Sequence, residues 1–160
     1  MDLLKDYYLE QLYGATPTEE NMKALAMYIR AFKEDHAVLV DGIEFVYTRS
    51  SIHHRLCLLY LISEILHTEK SPSGVEFRAG LKSFLKRHFL ADKDRASGSP
   101  VFYRKFQSLQ DVWQRRSIID FGDKYGLEEI VSTVNNNFCD KNKLVAALDE
   151  ISQYYKSKPE

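Results

Sequence analysis

Apolar residues recur every three or four positions along most of the chain, which is the spacing of amphipathic α-helices. A first helix is predicted over residues 2–12, with one face formed by Leu3, Leu4, Tyr7, Tyr8 and Leu12. A second is predicted from Pro17 to about Phe32, with an inward face of Met22, Leu25, Ala26, Ile29 and Phe32. Thr16 is the expected N-cap of this second helix, and Glu19 completes a capping box three residues later.

The middle of the chain continues the same pattern. A third helix is predicted over 34–48, with Asp41-Gly42 as a local weak point and an inward face of Val38, Ile43 and Val46. The block 54–67 is apolar on nearly all sides, so we expect a buried helix at the centre of the fold. A fifth helix is predicted over 75–90, with an inward face of Phe77, Leu81, Phe84, Leu85 and Phe89.

Three more helices are predicted after it, over 101–116, 124–135 and 141–156. The last two are separated by the asparagines at 135–137, and no segment shows sustained strand alternation. The predicted fold class is therefore all-α, with seven to eight helices. Amphipathic helices around one apolar helix favour an α-solenoid-like stack over a four-helix bundle.

Length and composition indicate one ordinary globular domain. The chain has 160 residues, of which 44% are hydrophobic and 28% charged, so we expect a single domain over 1–156 and a frayed tail at 157–160. Two cysteines are too few for a disulfide framework and are typical of a reducing compartment. The apolar stretches are too short to span a membrane, and the N-terminal stretch carries charges unlike a signal peptide.

The net charge of −1 hides an uneven distribution. Residues 1–44 carry 4 basic and 9 acidic side chains, a net charge of −5, whereas residues 78–116 carry 10 basic and 3 acidic, a net charge of +7. The total argues against a protein that coats nucleic acid, and the basic middle leaves room for a short acidic ligand. The alternative is that these lysines and arginines are scattered over solvated helix faces.

No motif requires an enzyme or a cofactor. His53, His54 and Cys57 are too few for a metal site, since zinc needs three or four ligands in one geometry. Ser63 and His67 have the types of catalytic residues, but no Gly-x-Ser-x-Gly elbow is present. Phosphate-binding glycine motifs are also absent from the sequence. We therefore expect a non-enzymatic protein with no cofactor and no metal.

Polar residues interrupt the most apolar helix along one side. Tyr60, Ser63 and His67 have the spacing of one helical face. Hydroxyls and an imidazole beside apolar walls suit an extended peptide, whose backbone needs hydrogen-bond partners. The alternative is that these residues are the exposed stripe of a mostly buried helix.

Three segments resemble the CTD-interacting domain (CID), also called the RPR domain. Residues 55–67, RLCLLYLISEILH, resemble the fourth helix of that family, which typically reads Lys-Leu-x-x-Leu-Tyr-Leu-Ile. Residues 12–18, LYGATPT, together with 22–29 and 36–40, resemble its first turn and its second and third helices. Residues 105–113, KFQSLQDVW, resemble its seventh helix. The Leu-x-x-x-Thr-Pro motif most resembles that of the branch found in SR-related splicing factors.

The resemblance implies a right-handed superhelix of eight α-helices, an arrangement shared with VHS and ENTH domains. It implies a nuclear protein that binds the C-terminal repeat tail of the largest RNA polymerase II subunit, usually phosphorylated on serine. The tail would lie in a groove of the second, fourth and seventh helices, lined by Tyr60 and Ser63. Phosphate contacts would come from Thr18, Asn21, Ser108 and Arg115, and the seventh-helix segment would add Lys105 and Val112.

This sequence departs from the family pattern at three of these positions. Ser63 replaces the usual Asp or Asn, Asn21 replaces a basic residue, and Ser108 stands where members that read phosphoserine carry Arg. Each lost charge-assisted hydrogen bond removes about 1.5–3 kcal/mol of binding energy. We expect Lys105, Arg104, Arg115 and Arg116 to compensate.

The expected partner is thus the polymerase tail, with RNA or other processing factors as further partners, bound by a monomer that does not use a membrane. Two alternatives stay open. One is a trafficking adaptor of the VHS or ENTH type that binds sorting peptides or phosphoinositides. The other is an RNA-binding or structural helical scaffold, in which Trp113 would more often be a core residue than a base-stacking one.

Overall fold

A computed structural model describes residues 2–121 as a stack of six α-helices. The helices are α1 (Lys5–Tyr13), α2 (Glu19–Arg30), α3 (His36–Thr48), α4 (Ile52–Thr68), α5 (Val75–Arg95) and α6 (Pro100–Arg115). Short 3₁₀ turns at Lys33–Asp35, Pro72–Gly74 and Ala96–Gly98 lead into α3, α5 and α6. The described part of the chain contains no strand, which confirms the all-α class.

The contacts between Cα atoms divide the chain into a unit of residues 1–120 and a second unit of residues 121–160. The predicted helices at 124–135 and 141–156, their break at 135–137 and the tail at 157–160 lie outside the described residues. Among residues 2–121, no helix has the length and apolar character needed to cross a membrane.

Helix α4 is the centre of the stack, as its apolar sequence predicts. It contacts α2, α3, α5 and α6, and nine of its side chains are buried. The phenylalanines predicted to face inward from α5 are also fully buried, as is Trp113 of α6. The period of apolar residues therefore identified the main core correctly.

The predicted cap of α2 is wrong by two residues. Thr18, not Thr16, is the N-cap, and its hydroxyl oxygen accepts a hydrogen bond of 3.3 Å from the backbone N–H of Asn21. The Asn21 side chain returns to the preceding loop, where its Oδ1 accepts a 2.8 Å hydrogen bond from the Thr16 N–H. Asn21 thus performs the reciprocal role that the prediction gave to Glu19.

Several expected inward residues are exposed. Leu4 is 68% exposed, Tyr7 47% and Val38 40%. In α1 only Tyr8 and Leu12 are buried, and α3 begins at His36. Gly42 lies inside α3, and the helix continues through it. A Cβ atom there would lie 2.5 Å from the Tyr8 ring, so glycine permits the close approach of α1 to α3.

Helix α5 extends to Arg95, five residues beyond its predicted end, because its polar last turn is held by a buried carboxylate. Asp92 accepts hydrogen bonds from the Tyr47 hydroxyl at 2.6 Å and from Arg55 at 2.9 Å. Burial, followed by the hydrogen bond to Asp92, raises the pKa of Tyr47. This network joins α3, α4 and α5.

A second buried carboxylate, Glu69, closes the loop after α4. It accepts hydrogen bonds from Arg30 at 3.2 Å, from the Ser71 N–H at 3.1 Å and from the Ser71 hydroxyl, and Lys33 lies 3.6 Å away. Burial opposes the charged form of Glu69, but the Ser71 and Arg30 hydrogen bonds and the charge of Lys33 outweigh it, so its pKa is lowered. The carboxylate ties the end of α2 to the start of α5.

Candidate functional site

A groove lies where α2, α4 and the end of α6 meet. Its volume is about 500 Å³. Helix α4 contributes one wall, with the residues Tyr60, Ser63, Glu64 and His67. The sequence pattern predicted three of these four on one face, and the structure places all of them along the same groove.

The opposite walls come from the second helix and the seventh-helix segment, which the family resemblance assigned to the groove and the polar stripe of α4 did not. The start of α2 and the loop before it supply Pro17, Glu19 and Met22, and the end of α6 supplies Val112 and Arg116. Arg116 lies four residues after Val112, so the helical spacing of α6 was the signal that placed it beside a predicted site residue. No comparable signal existed for Pro17.

A second pocket of about 400 Å³ adjoins the first and shares Pro17 and Tyr60 with it. Its walls include His53 at the start of α4 and Phe102 and Lys105 of α6. The rings of His53 and Phe102 meet edge to face, with centroids 4.7 Å apart. Together the two pockets form one continuous surface groove, with Tyr60 between them.

The polar groups of α4 in this groove are largely bonded within the protein. Ser63 is 8% exposed, and its hydroxyl oxygen accepts a 3.0 Å hydrogen bond from the indole N–H of Trp113. His67 Nδ1 lies 2.6 Å from the backbone carbonyl of Ser63, so this nitrogen carries the proton and donates. His67 Nε2 is buried and has no hydrogen-bond partner among the described residues.

Four predicted site residues do not line either pocket. Thr18 and Asn21 form the cap of α2, where their side chains are engaged with the backbone. Ser108 and Arg115 are exposed on α6 and line neither pocket. Their contacts with a ligand stay a prediction.

Four of the ten cations in the segment 78–116 are engaged elsewhere. Arg78 donates to the Ser71 carbonyl at 2.7 Å, and Arg87 pairs with Glu44 at 3.3 Å. Lys93 is buried and donates to Gln110, and Arg95 pairs with Asp92. Lys105 and Arg116 are the cations of this segment that line the two pockets.

His54 and Cys57, two of the possible metal ligands in the sequence, are bonded to different backbone carbonyls. His54 Nε2 donates to the Leu12 carbonyl at 2.8 Å, and the Cys57 thiol donates to the Ala15 carbonyl at 3.4 Å. Burial raises the pKa of the Cys57 thiol, which keeps it protonated. These contacts hold the loop between α1 and α2 against α4, and so they position Pro17.

A family model of the CID domain matches residues 6–123, which is most of the chain. The chain belongs to the CID domain family. CID domains are protein-interaction domains, and the family binds the C-terminal tail of RNA polymerase II. A search among curated proteins and among solved structures finds no match. The segment that resembles the family's seventh helix forms α6 among the described residues of this CID domain.

Proposed function

We propose that this CID domain is a non-enzymatic adaptor that binds the phosphorylated C-terminal repeat tail of RNA polymerase II. It would act in the nucleus and couple transcription to pre-mRNA processing or termination. The observation that carries the proposal is the continuous groove formed by two pockets that share Pro17 and Tyr60. Within a family that binds this tail, such a groove is the surface that an extended peptide would occupy.

The shape and chemistry of the groove support this ligand. Met22, Val112 and Tyr60 offer apolar walls to the side chains of an extended peptide. Lys105 and Arg116 make no ion pair with a described residue, so their charges are available to a phosphate. A charge-assisted hydrogen bond to phosphate contributes about 1.5–3 kcal/mol, enough to replace one missing arginine at Ser108.

Three finer features belong to the same proposal. The helices would continue beyond residue 121 into a right-handed superhelix of seven to eight helices. The domain would act as a monomer. Its branch would be the one found in SR-related splicing factors, supported by the LYGATPT segment at residues 12–18.

The test is a titration of the chain with fluorescein-labelled heptad-repeat peptides, unphosphorylated and phosphorylated, at low and moderate salt. Val112→Trp fills the groove with an uncharged ring, and we expect it to weaken binding at least tenfold. Val101→Trp is the matched control, because Val101 is on the same helix, is 64% exposed and lines neither pocket.

Failure of every heptad peptide to bind would refute the proposal. Equal losses for Val112→Trp and Val101→Trp would remove the groove from the peptide site. Flotation with phosphoinositide vesicles tests the trafficking alternative, and co-flotation without peptide binding would favour it. Thermal unfolding of each variant confirms that both remain folded.

A further inference from the structure

Three aromatic rings form an edge-to-face series on the outer surface of α1, α2 and the turn after α2. The ring centroids of Tyr7 and Tyr28 are 5.7 Å apart, and those of Tyr28 and Phe32 are 5.3 Å apart. Tyr7 is 47% exposed, and Leu4, one helical turn before it, is 68% exposed. We call these four residues the aromatic face. None of them lines either pocket of the groove.

Leu4 and Tyr7 of the aromatic face are exposed, and Tyr28 and Phe32 beside them are half-buried. Apolar area left in water costs free energy, and a protein that keeps several such side chains together often uses them for binding. Burial, followed by the nearby Tyr7 hydroxyl, raises the pKa of Tyr28, so its ring keeps the electron-rich face of a neutral phenol.

The surroundings of the aromatic face are acidic. Of the nine acidic side chains in residues 1–44, Glu19 and Glu44 make ion pairs. The other seven are exposed, and their carboxylates make no hydrogen bond or ion pair with a described residue: Asp2, Asp6, Glu10, Glu20, Glu34, Asp35 and Asp41. Two of them, Glu34 and Asp35, come two and three residues after Phe32, and Glu10 is one helical turn after Tyr7.

Most cations of residues 2–44 form ion pairs with carboxylates outside the aromatic face. Arg30 and Lys33 are directed to Glu69, and Lys23 pairs with Glu19 at 2.7 Å. Lys5 is therefore the one cation of residues 2–44 without an ion pair to a described residue. The carboxylates near the aromatic rings are left uncompensated, and they create a field that attracts cations.

We propose that the aromatic face binds an arginine-rich segment of a partner protein. A guanidinium stacks on an aromatic ring and at the same time donates two parallel hydrogen bonds to a carboxylate, so it uses both features of this surface. Glu10 on α1, and Glu34 with Asp35 after Phe32, are the carboxylates nearest in sequence to these rings. The same field repels RNA and phosphorylated peptides, so this surface is independent of the groove.

The probes are fluorescein-labelled oligoarginine and oligolysine peptides of equal length, titrated into the whole chain at several salt concentrations. Oligoarginine should bind about threefold or more tightly than oligolysine, because only the planar guanidinium stacks and bridges in this way. Binding of both should weaken as salt rises, since the carboxylates are exposed.

Two tyrosines of α1 give a matched pair of variants. Tyr7 and Tyr13 are both 47% exposed, but Tyr13 makes no ring contact with a described residue. Tyr7→Ala should weaken oligoarginine binding by about threefold to tenfold, whereas Tyr13→Ala should change it by less than about twofold. The double variant Glu34→Gln with Asp35→Asn should weaken it about threefold and flatten the salt dependence.

Equal affinity for the two peptides would overturn the proposal, as would equal losses for Tyr7→Ala and Tyr13→Ala. Loss of oligoarginine binding in Val112→Trp would also overturn it, because the cation would then lie in the groove. Tighter binding of a single-stranded RNA oligonucleotide than of oligoarginine would identify a different partner. Circular dichroism melting of each variant separates a lost contact from a lost fold.

Discussion

The indole N–H of Trp113 donates a 3.0 Å hydrogen bond to the hydroxyl of Ser63, so a fully buried ring of α6 is bonded to the groove wall of α4. The contact joins two residues 50 positions apart in the sequence. It also occupies the hydroxyl that the sequence pattern offered to a peptide. Ser63 therefore connects the core to the groove, and its substitution tests both.

Ser63→Ala removes the acceptor of the Trp113 indole and should destabilise the fold by about 1–3 kcal/mol, the cost of losing a buried partner. Urea unfolding measures the change in free energy. In a Trp113→Phe background the same substitution should cost less, and the double-mutant cycle should give a coupling of about 1 kcal/mol. Additive effects would show that the hydrogen bond does not stabilise the native state.

Arg116→Ala should weaken binding of the phosphorylated heptad peptide by about threefold to tenfold, because Arg116 lines the groove. Lys86 of α5 is exposed and outside both pockets, so Lys86→Ala is the control and should change affinity by less than about twofold. Fluorescence anisotropy measures both. Equal losses for the two variants would show that Arg116 does not contact the phosphate.

Glu69 should contribute stability that depends on pH. Its pKa in the folded protein is lowered, so the unfolded chain binds the proton more tightly and stability falls as pH drops below about 4.3, the ordinary value for glutamate. Glu69→Gln should be less stable than the parent at pH 7, and the gap should narrow in acid. Urea midpoints at several pH values measure it.

Glu10→Gln is the control for that experiment, because the Glu10 carboxylate is exposed and makes no ion pair with a described residue. It should follow the parent protein at every pH. A constant gap between Glu69→Gln and the parent would contradict the linkage.

Ser117→Gly should stabilise the chain by about 1 kcal/mol. Ser117 has a φ of 55°, and the hydrogen bonds from Ser117 to Gln114 and from Ile118 to Trp113 form a Schellman cap at the end of α6. A side chain is strained in this left-handed conformation, and glycine is not. Thermal unfolding should show a higher Tm for Ser117→Gly and no gain for Ser117→Ala.

The sequence predicted the helices well because burial in a helical stack imposes the 3.6-residue period. It failed where a polar side chain forms a hydrogen bond that the period of apolar residues does not report. The cap of α2 moved to Thr18 because Asn21 bonds to the nearby Thr16 N–H, and α5 gained five residues because Asp92 is paired with the side chains of Tyr47 and Arg55. The partners of Asp92 are tertiary neighbours that no local pattern identifies.

The same distinction explains the groove. The spacing of Tyr60, Ser63 and His67 was sufficient to place them on one wall, because a single helix carries all three. The distribution of charge along the sequence did not identify the cations of the groove, because Arg78 and Arg87 lie on other surfaces and contact Ser71 and Glu44. Pro17 was missed because its position depends on the hydrogen bonds that His54 and Cys57 of α4 donate to the loop.

That loop is fastened at the two residues before Pro17, by Cys57 at Ala15 and by Asn21 at Thr16. The ridge between the two pockets is therefore already formed before any ligand arrives. An incoming peptide loses its own conformational entropy on binding, while the protein loses little. This anchoring implies that a peptide associates with the groove in a single kinetic step, at a rate set by collision and orientation.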